Sequence, residues 1–257
     1  MKKWITFDLD GTLMQNPFVG QVFPEIERLV LEKVGGIGNV LPDILAEHTL
    51  RIDANRWVEA YDWDDIVSTF LRKNNISDSI DIEKIVCQYC HAPSIYLLED
   101  EVIEVLNTLK KSGYALAAVT NGYLKYQKPV MDALQLTPLF DIIITPSEAG
   151  YAKPDPRIFN GVNGEIAFHV GDRLEHDVRS AYEAGVPSVL INRSLPEKIQ
   201  RLPIVDRVNH SDVAEFLLNK LNCETKMGLT ELPHWGKPTY IIHSIKELVI
   251  LLSDNEY

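Results

Sequence analysis

The chain has 257 residues, with 25 Lys plus Arg against 37 Asp plus Glu, a formal net charge of −12. Its 46% hydrophobic and 24% charged residues are ordinary for a globular protein and exclude a disordered or fibrous chain. The acidity disfavours a nucleic-acid partner, because phosphate backbones are bound by neutralising Lys and Arg, but it leaves room for small phosphorylated molecules whose charge a metal ion offsets.

At roughly 150 residues per domain, the length implies one large domain or one with a smaller partner. The apolar start is broken by Asp8 and Asp10, too soon for a signal peptide. No run approaches the length of a membrane span. Three cysteines, Cys87, Cys90 and Cys223, are an odd, low number, which points to a reducing cytoplasmic compartment.

Residues 4–9 are an apolar run ending at Asp-Gly, a strand followed by a turn. Residues 24–34 and 54–73 carry helix-spaced apolar positions, and 81–91 and 94–98 also read as helical. No clear strand stands between about 15 and 100, so this block is expected to be all-helical. Beyond it the pattern alternates. Residues 101–111 form a helix with a basic last turn and a Gly stop. A buried strand at 115–120, a helix at 124–135 and strands at 141–145 and 166–171 follow. A helix at 175–185 then precedes a strand at 188–192.

Two further strand–helix units are expected at 205–221, with Ser211 as N-cap, and at 239–252. The second closes the sheet, and 195–236 reads as a surface insertion. Nearly continuous apolar strands alternating with helices predict a parallel sheet covered on both faces. Ligands of such sheets bind beyond the strands' carboxyl ends, which puts Asp8, Thr120 and Asp172 on one rim.

Four elements stand in order. Asp8-Leu-Asp10-Gly11-Thr12 ends the first strand, Thr120-Asn121-Gly122 ends another, Lys153-Pro154-Asp155-Pro156 follows, and Gly171-Asp172-Arg173-Leu-Glu-His176-Asp177 ends a third. Carboxylates at i and i+2 straddling a strand exit meet one bound group only if the chain curls, which Gly11 permits. Asp172 adds a third carboxylate at the rim. Such a cluster repels itself unless a cation intervenes, and oxygen ligands suit a hard ion such as Mg²⁺. Thr120 offers a hydroxyl and Lys153 a point charge for phosphoryl oxygens. Each element alone is an ordinary turn, strand end, loop lysine or helix start; the ordered set is what carries the reading.

The set resembles the haloacid dehalogenase (HAD) superfamily, and the resemblance covers essentially the whole chain. It implies an α/β fold: a Rossmann-like core with a parallel sheet, residues 1–14 and 101–257, and an inserted all-helical cap, residues 15–100, as in the subfamily of phosphoglycolate phosphatases, phosphoserine phosphatases and nucleotidases. By resemblance, Asp8 is the nucleophile and a metal ligand, and Asp10 the general acid/base, whose backbone carbonyl is a second ligand. Asp172 holds the metal, and Asp177 orients Lys153 or metal-bound water. Gly11, Thr120, Asn121 and Lys153 are the phosphate-binding positions.

The implied activity is Mg²⁺-dependent hydrolysis of a small phosphomonoester metabolite through an aspartyl-phosphate on Asp8. The candidate substrates are a nucleoside 5′-monophosphate, phosphoserine or phosphoglycolate, and a sugar phosphate. The alternatives are a phosphomutase of the same superfamily and a non-catalytic binding protein. Asp10 is absent from the dehalogenases, so dehalogenation is not expected. A monomer or homodimer with neither nucleic-acid nor membrane partners completes the expectation.

Only 171 − 153 = 18 positions separate Lys153 from Gly171, so Pro156 to Asn160 is expected to form a turn or two. Cys87-Gln-Tyr-Cys90-His91 matches a haem-attachment pattern and offers zinc-type ligands; it reads as three residues on a cap helix. His176 reads as a solvated helix-start residue or as a substrate contact. Asp62-Trp63-Asp64-Asp65 reads as an exposed helix start. Arg56, Trp57, Tyr61 and Trp63 are the cap residues that read a leaving group, with core packing the competing role for Trp57.

Overall fold

The computed structural model describes residues 2–36 and 39–254; residues 1, 37, 38 and 255–257, among them the outermost positions of the expected core, lie outside the described residues. The strands are β1 (Lys3–Phe7), β2 (Met14–Gln15), β3 (Tyr96–Leu97), β4 (Ala115–Val119), β5 (Ile142–Ile144), β6 (Glu165–Gly171), β7 (Ser188–Ile191) and β8 (Tyr240–Ile242). Six of them form one sheet in the order β5-β4-β1-β6-β7-β8, with every neighbouring pair parallel. β1 lies near the centre, so Asp8 leaves the sheet between β4 and β6.

Side-chain alternation divides the sheet between two cores. Ile5, Phe7, Leu116, Ala118, Val189 and Ile191 point into the larger cluster. Trp4, Ala115, Ala117 and Val119 point the other way, as do Leu190 and Ile241. Helix α6 (Val102–Lys111) supplies Val102, Val105, Leu106 and Leu109 at helical spacing to the larger cluster. α7 (Leu124–Ala133) and α13 (Glu247–Asp254) cover the same side. Phe7 is wholly buried here, and truncation of such a side chain costs about 3–5 kcal/mol.

Between β2 and β3 the chain forms α1 (Phe23–Val34), α2 (Leu41–Asp53), α3 (Trp57–Ala60), α4 (Trp63–Lys73) and α5 (Ile82–Gln88). Asp62 caps α4, its carboxylate accepting from the Asp65 N–H at 3.3 Å, and Arg72 and Lys73 close the helix against its dipole. The acidic run is therefore a helix start, though only Asp65 of it is largely open to solvent.

Three local expectations are corrected. Residues 94–98 are not a helix: Tyr96 and Leu97 pair antiparallel with Gln15 and Met14, forming a two-stranded ribbon where the helical block joins the sheet. Residues 205–211 are not a strand. Pro203 opens α11 (Ile204–Arg207), and α12 (Ser211–Thr225) follows with His210, not Ser211, as its N-cap; the His210 ring accepts from the Asp212 N–H at 3.3 Å. Nor is 195–236 a surface appendage. Leu195, Ile199, Val213, Leu217 and Leu221 pack with Leu174, Val178, Leu190 and Ile241 as a core of their own against the sheet.

β8 closes the sheet as expected, and Pro156–Gly161 forms a short 3₁₀ helix after Lys153. Among the described residues, no helix is long and apolar enough to cross a membrane.

Candidate active site

The carboxyl ends of β1, β4 and β6 bring the predicted residues together. Asp8 follows β1, its N–H donating to Val170 O on β6 at 2.8 Å. Lys153 Nζ donates to Asp8 Oδ1 at 2.7 Å and to Asp177 Oδ1 at 2.6 Å, all three residues being buried. Asp177 is fixed in turn: its Oδ2 accepts from the Arg173 N–H at 3.0 Å, and its Oδ1 lies 3.2 Å from His169 Nε2. His169 Nδ1 is 2.9 Å from the Thr6 hydroxyl. Gly171 makes this packing possible, because a Cβ there would lie 2.1 Å from Asp177 Cγ.

Asp8, Asp172 and Asp177 each bring a carboxylate oxygen within 4.8 Å of the others. Burial pushes Asp8 well above the usual carboxylate range; Lys153 opposes this, and Asp177 and Asp172 reinforce it. Burial, then the Asp177 charge, pushes Asp172 up to about 6. Burial would raise Asp177 too, but Lys153 and His169 hold it well below its ordinary value. One ammonium thus faces several crowded carboxylates. The donors are all hard oxygens, and a divalent cation shared by Asp8 and Asp172 would favour the ionised form of both, so the residues fit Mg²⁺. Asp177, being committed to Lys153, serves better as the brace of that lysine.

Asp10 stands apart from the cluster. Its Oδ2 accepts from Gln127 Nε2, while Oδ1 is buried without a partner. Burial raises its pKa, and hydrogen bonds from Gln127 and Asn16 oppose the rise. Gln127 Nε2 also lies 3.2 Å from Thr120 Oγ1, which accepts the Gly122 N–H at 3.2 Å as well. The Thr120 hydroxyl accepts from these two donors and keeps its own proton to give.

Asn121 uses its side chain to hold Lys153, leaving its backbone for any ligand. Gly11 does not present a free N–H: that group donates to Met14 O at 3.0 Å. The role of Gly11 is steric. Its φ of +82° suits glycine, and a Cβ there would lie 2.7 Å from Asp172 Oδ2.

A cleft of about 650 Å³ opens above these residues. Asp8, Asp10, Thr120, Asn121, Lys153 and Asp177 line its floor. Trp57 and Tyr61 line its far wall and meet the His176 ring edge-on at 6.3 and 6.5 Å. His176 therefore faces the cleft, and burial, with Arg173 nearby, pushes it down to about 3. Trp57 is half-buried at the cleft, not in a core, whereas Trp63 is buried against Phe23 and His48. Arg56 is exposed beside Glu59 and takes no part.

The helical block is tied to the sheet domain at the same cleft. The Tyr126 hydroxyl donates to Asp64 Oδ2 at 2.8 Å and accepts from the Asp64 N–H at 3.0 Å. Lys125 Nζ lies 2.6 Å from Asp64 Oδ2.

Several site residues escape sequence reasoning: Gln127, Asn16, His169 and Glu224. Glu224 accepts from the Leu174 and Glu175 N–H groups at 3.2 and 3.0 Å, tying α12 to the segment that carries Asp177. Thr225, Lys226 and Met227 line the cleft beside it. None of the four carries a sequence signal of its own: Gln127 lies on α7, one helix beyond the loop that holds Thr120.

This geometry agrees with what the chain resembles in sequence. The family described as haloacid dehalogenase-like hydrolase matches residues 2–185. The chain belongs to that family. The glyceraldehyde 3-phosphate phosphatase of Methanocaldococcus jannaschii is 30% identical over 205 residues, 74% of this chain and 85% of that protein. The glyceraldehyde 3-phosphate phosphatase of Methanopyrus kandleri is 32% identical over 126 residues, 47% of this chain and 52% of that protein.

The chain spans about half the length of the first curated relatives it matches. Among solved structures, a HAD phosphatase from Thermococcus onnurineus aligns with a TM-score of 0.66 at 25% identity, covering 98% of each chain. The Rossmann-like core of the family is thus the fold of this chain.

Proposed function

We propose that this chain is a phosphomonoesterase acting on a small phosphorylated metabolite, with Asp8 as nucleophile. The observation that carries the reading is the pairing of Asp8 with Lys153 at one rim, while the unpartnered oxygen of Asp10 is buried in the same cleft.

Lys153 fixes the Asp8 carboxylate and neutralises charge on the phosphoryl group. Asp8 attacks phosphorus, the bond to the ester oxygen breaks, and Asp10, whose protonated form burial favours, gives its proton to the leaving alkoxide. The product is an aspartyl-phosphate on Asp8. Asp10, now ionised, takes a proton from water, which displaces phosphate and restores Asp8. The Thr120 hydroxyl and the Asn121 backbone N–H donate to phosphoryl oxygens in both steps. Mg²⁺ held by Asp8 and Asp172, with the Asp10 carbonyl, would supply the remaining positive charge at those oxygens.

Residues 15–100 form the cap in this reading, and residues 1–14 and 101–257 the core. The three free thiols agree with a cytoplasmic protein, and a monomer or homodimer suffices, because one chain supplies every group named.

The test is phosphate release from a panel of phosphorylated metabolites with Mg²⁺, repeated with Asp8→Asn and Asp10→Asn. The reading expects activity that needs Mg²⁺ and is abolished by Asp8→Asn. Full activity of Asp8→Asn would overturn it.

A further inference from the structure

Arg173 lines the cleft directly after Asp172, yet among the described residues its side chain makes no hydrogen bond and no ion pair, and its Nε is buried without a partner. Guanidinium groups are seldom left so, because burying an unmatched donor on a cation is costly. The other cations of the cleft are differently placed. Lys153 is committed to Asp8 and Asp177, and Lys226 stands exposed at the mouth. Glu175 shares the cleft with Arg173, but no ion pair joins them.

The position of Arg173 between the two parts of the molecule follows from its neighbours. Its charge reaches His48 and Tyr61 on the helical block and Asp172, Glu175 and His176 on the core. It lines the same cleft as Asp8 and Asp10 of the core and Trp57 and Tyr61 of the helical block. The cleft around it is largely aromatic: Trp57, Tyr61, and the imidazoles of His48 and His176, whose burial holds them below their ordinary pKa.

We propose that Arg173 determines substrate specificity by binding an anionic carboxylate on the leaving group, so that the preferred substrates are phosphomonoesters of small hydroxy acids. A carboxylate answers the unmatched guanidinium with two charge-assisted hydrogen bonds, a geometry suited to arginine and not to lysine. The aromatic wall then packs the short carbon chain. The proposal rests on the phosphomonoesterase reading and goes beyond it by naming the chemistry of the leaving group.

The experiment compares esters that differ only in the carboxylate: 2-phosphoglycolate against 2-hydroxyethyl phosphate, and O-phosphoserine against O-phosphoethanolamine. The readout is the ratio of kcat/KM within each pair, for the wild-type chain with Mg²⁺ and for Arg173→Met and Arg173→Lys. The wild type is expected to favour the carboxylate member by about thirtyfold, the usual worth of hydrogen bonds to a charged group. Arg173→Met should bring the ratio close to one. Arg173→Lys, which keeps the charge and loses the fork, should fall between, and serves if the methionine variant does not fold.

A wild-type ratio near one, or a ratio unchanged in both variants, would overturn the inference while leaving the phosphatase reading intact. An equal loss on both members would overturn it too, since Arg173 would then be reading the phosphoryl group. A wild-type chain that releases phosphate from none of a broad ester panel would overturn the phosphatase reading, and this inference with it.

Discussion

The Asn121 side chain grips the backbone of Lys153 at both polar ends: its Nδ2 donates to Lys153 O at 2.8 Å, and its Oδ1 accepts from Lys153 N at 2.7 Å. The loop after β4 thereby sets the height of the ammonium that bridges Asp8 and Asp177. Asn121→Ala leaves a buried N–H and a buried carbonyl unpaired, at a cost of about 1–3 kcal/mol in stability. Displacing Lys153 by about an ångström is expected to lower kcat by about a hundredfold. Asn121→Asp keeps the acceptor and loses the donor. It should retain Lys153 better than alanine does while adding a carboxylate beside a crowded acidic site. Denaturant unfolding together with phosphate-release kinetics checks both variants; an Asn121→Ala enzyme with wild-type kcat would show that Lys153 holds its place unaided.

Gln127 sets the protonation of Asp10. Its amide donates to the ionised carboxylate, so it opposes the rise that burial produces. Gln127→Leu removes that opposition, and the pKa of Asp10 moves further up. A general acid works while protonated, so its activity is lost on the alkaline side of its pKa. The alkaline limb of the kcat/KM profile is therefore expected to move to higher pH in Gln127→Leu, with lower kcat throughout because Asp10 and Thr120 lose a shared tether. A pH profile superimposable on that of the wild type would exclude this role.

The difference between Asp8 and Gln127 shows what the sequence carries. Asp8, Thr120 and Asp172 each follow an apolar run, and parallel strands bring the ends of such runs to one rim, so their meeting is legible from order alone. Lys153 is legible through its place in that order. Gln127 sits on a helix, where nothing in the pattern separates a glutamine facing the site from one facing water. Glu224 is harder still, since it reaches Leu174 and Glu175 from fifty positions away through a segment that reads as an insertion. The alternation of Val205, Arg207 and the residues around them imitates a strand, yet the segment is helical. The reason is tertiary: buried Arg207 must reach several carbonyls at once, which a local pattern does not show.

Gly11 tests the metal reading without touching a ligand. Gly11→Ala places a Cβ 2.7 Å from Asp172 Oδ2 on a backbone with φ of +82°. Either the loop moves or Asp172 does. The strained backbone alone costs about 1–3 kcal/mol, and displacement of Asp172 should weaken the apparent affinity for Mg²⁺. Titrating activity against Mg²⁺ is expected to show a raised half-saturation concentration along with a lowered Tm. A variant with lowered Tm and unaltered Mg²⁺ dependence would place the strain entirely in the loop and remove Asp172 from the metal site.

Arg207 and Glu247 give a pH signature far from the cleft. The guanidinium donates to Glu247 at 2.6 and 2.7 Å, and to Ile241 O, Leu202 O and Gln200 O, tying α11 to α13 and β8. Burial would raise Glu247, but the hydrogen bonds from Arg207 and the His243 N–H outweigh it, and its pKa lies below the ordinary 4.5. A carboxylate lowered in the folded state contributes stability in full above its unfolded pKa and loses it as pH falls through the folded value. Stability conferred by this pair is therefore intact at pH 7 and declines below about pH 4.5. Arg207→Met leaves Glu247 buried without its partner and is expected to cost about 3–5 kcal/mol at pH 7. The loss should shrink as pH falls and Glu247 takes up a proton. Urea unfolding of the two chains between pH 7 and pH 4 measures the difference directly, and a deficit that stays constant across that range would show that Arg207 acts through its backbone carbonyl contacts and not through Glu247.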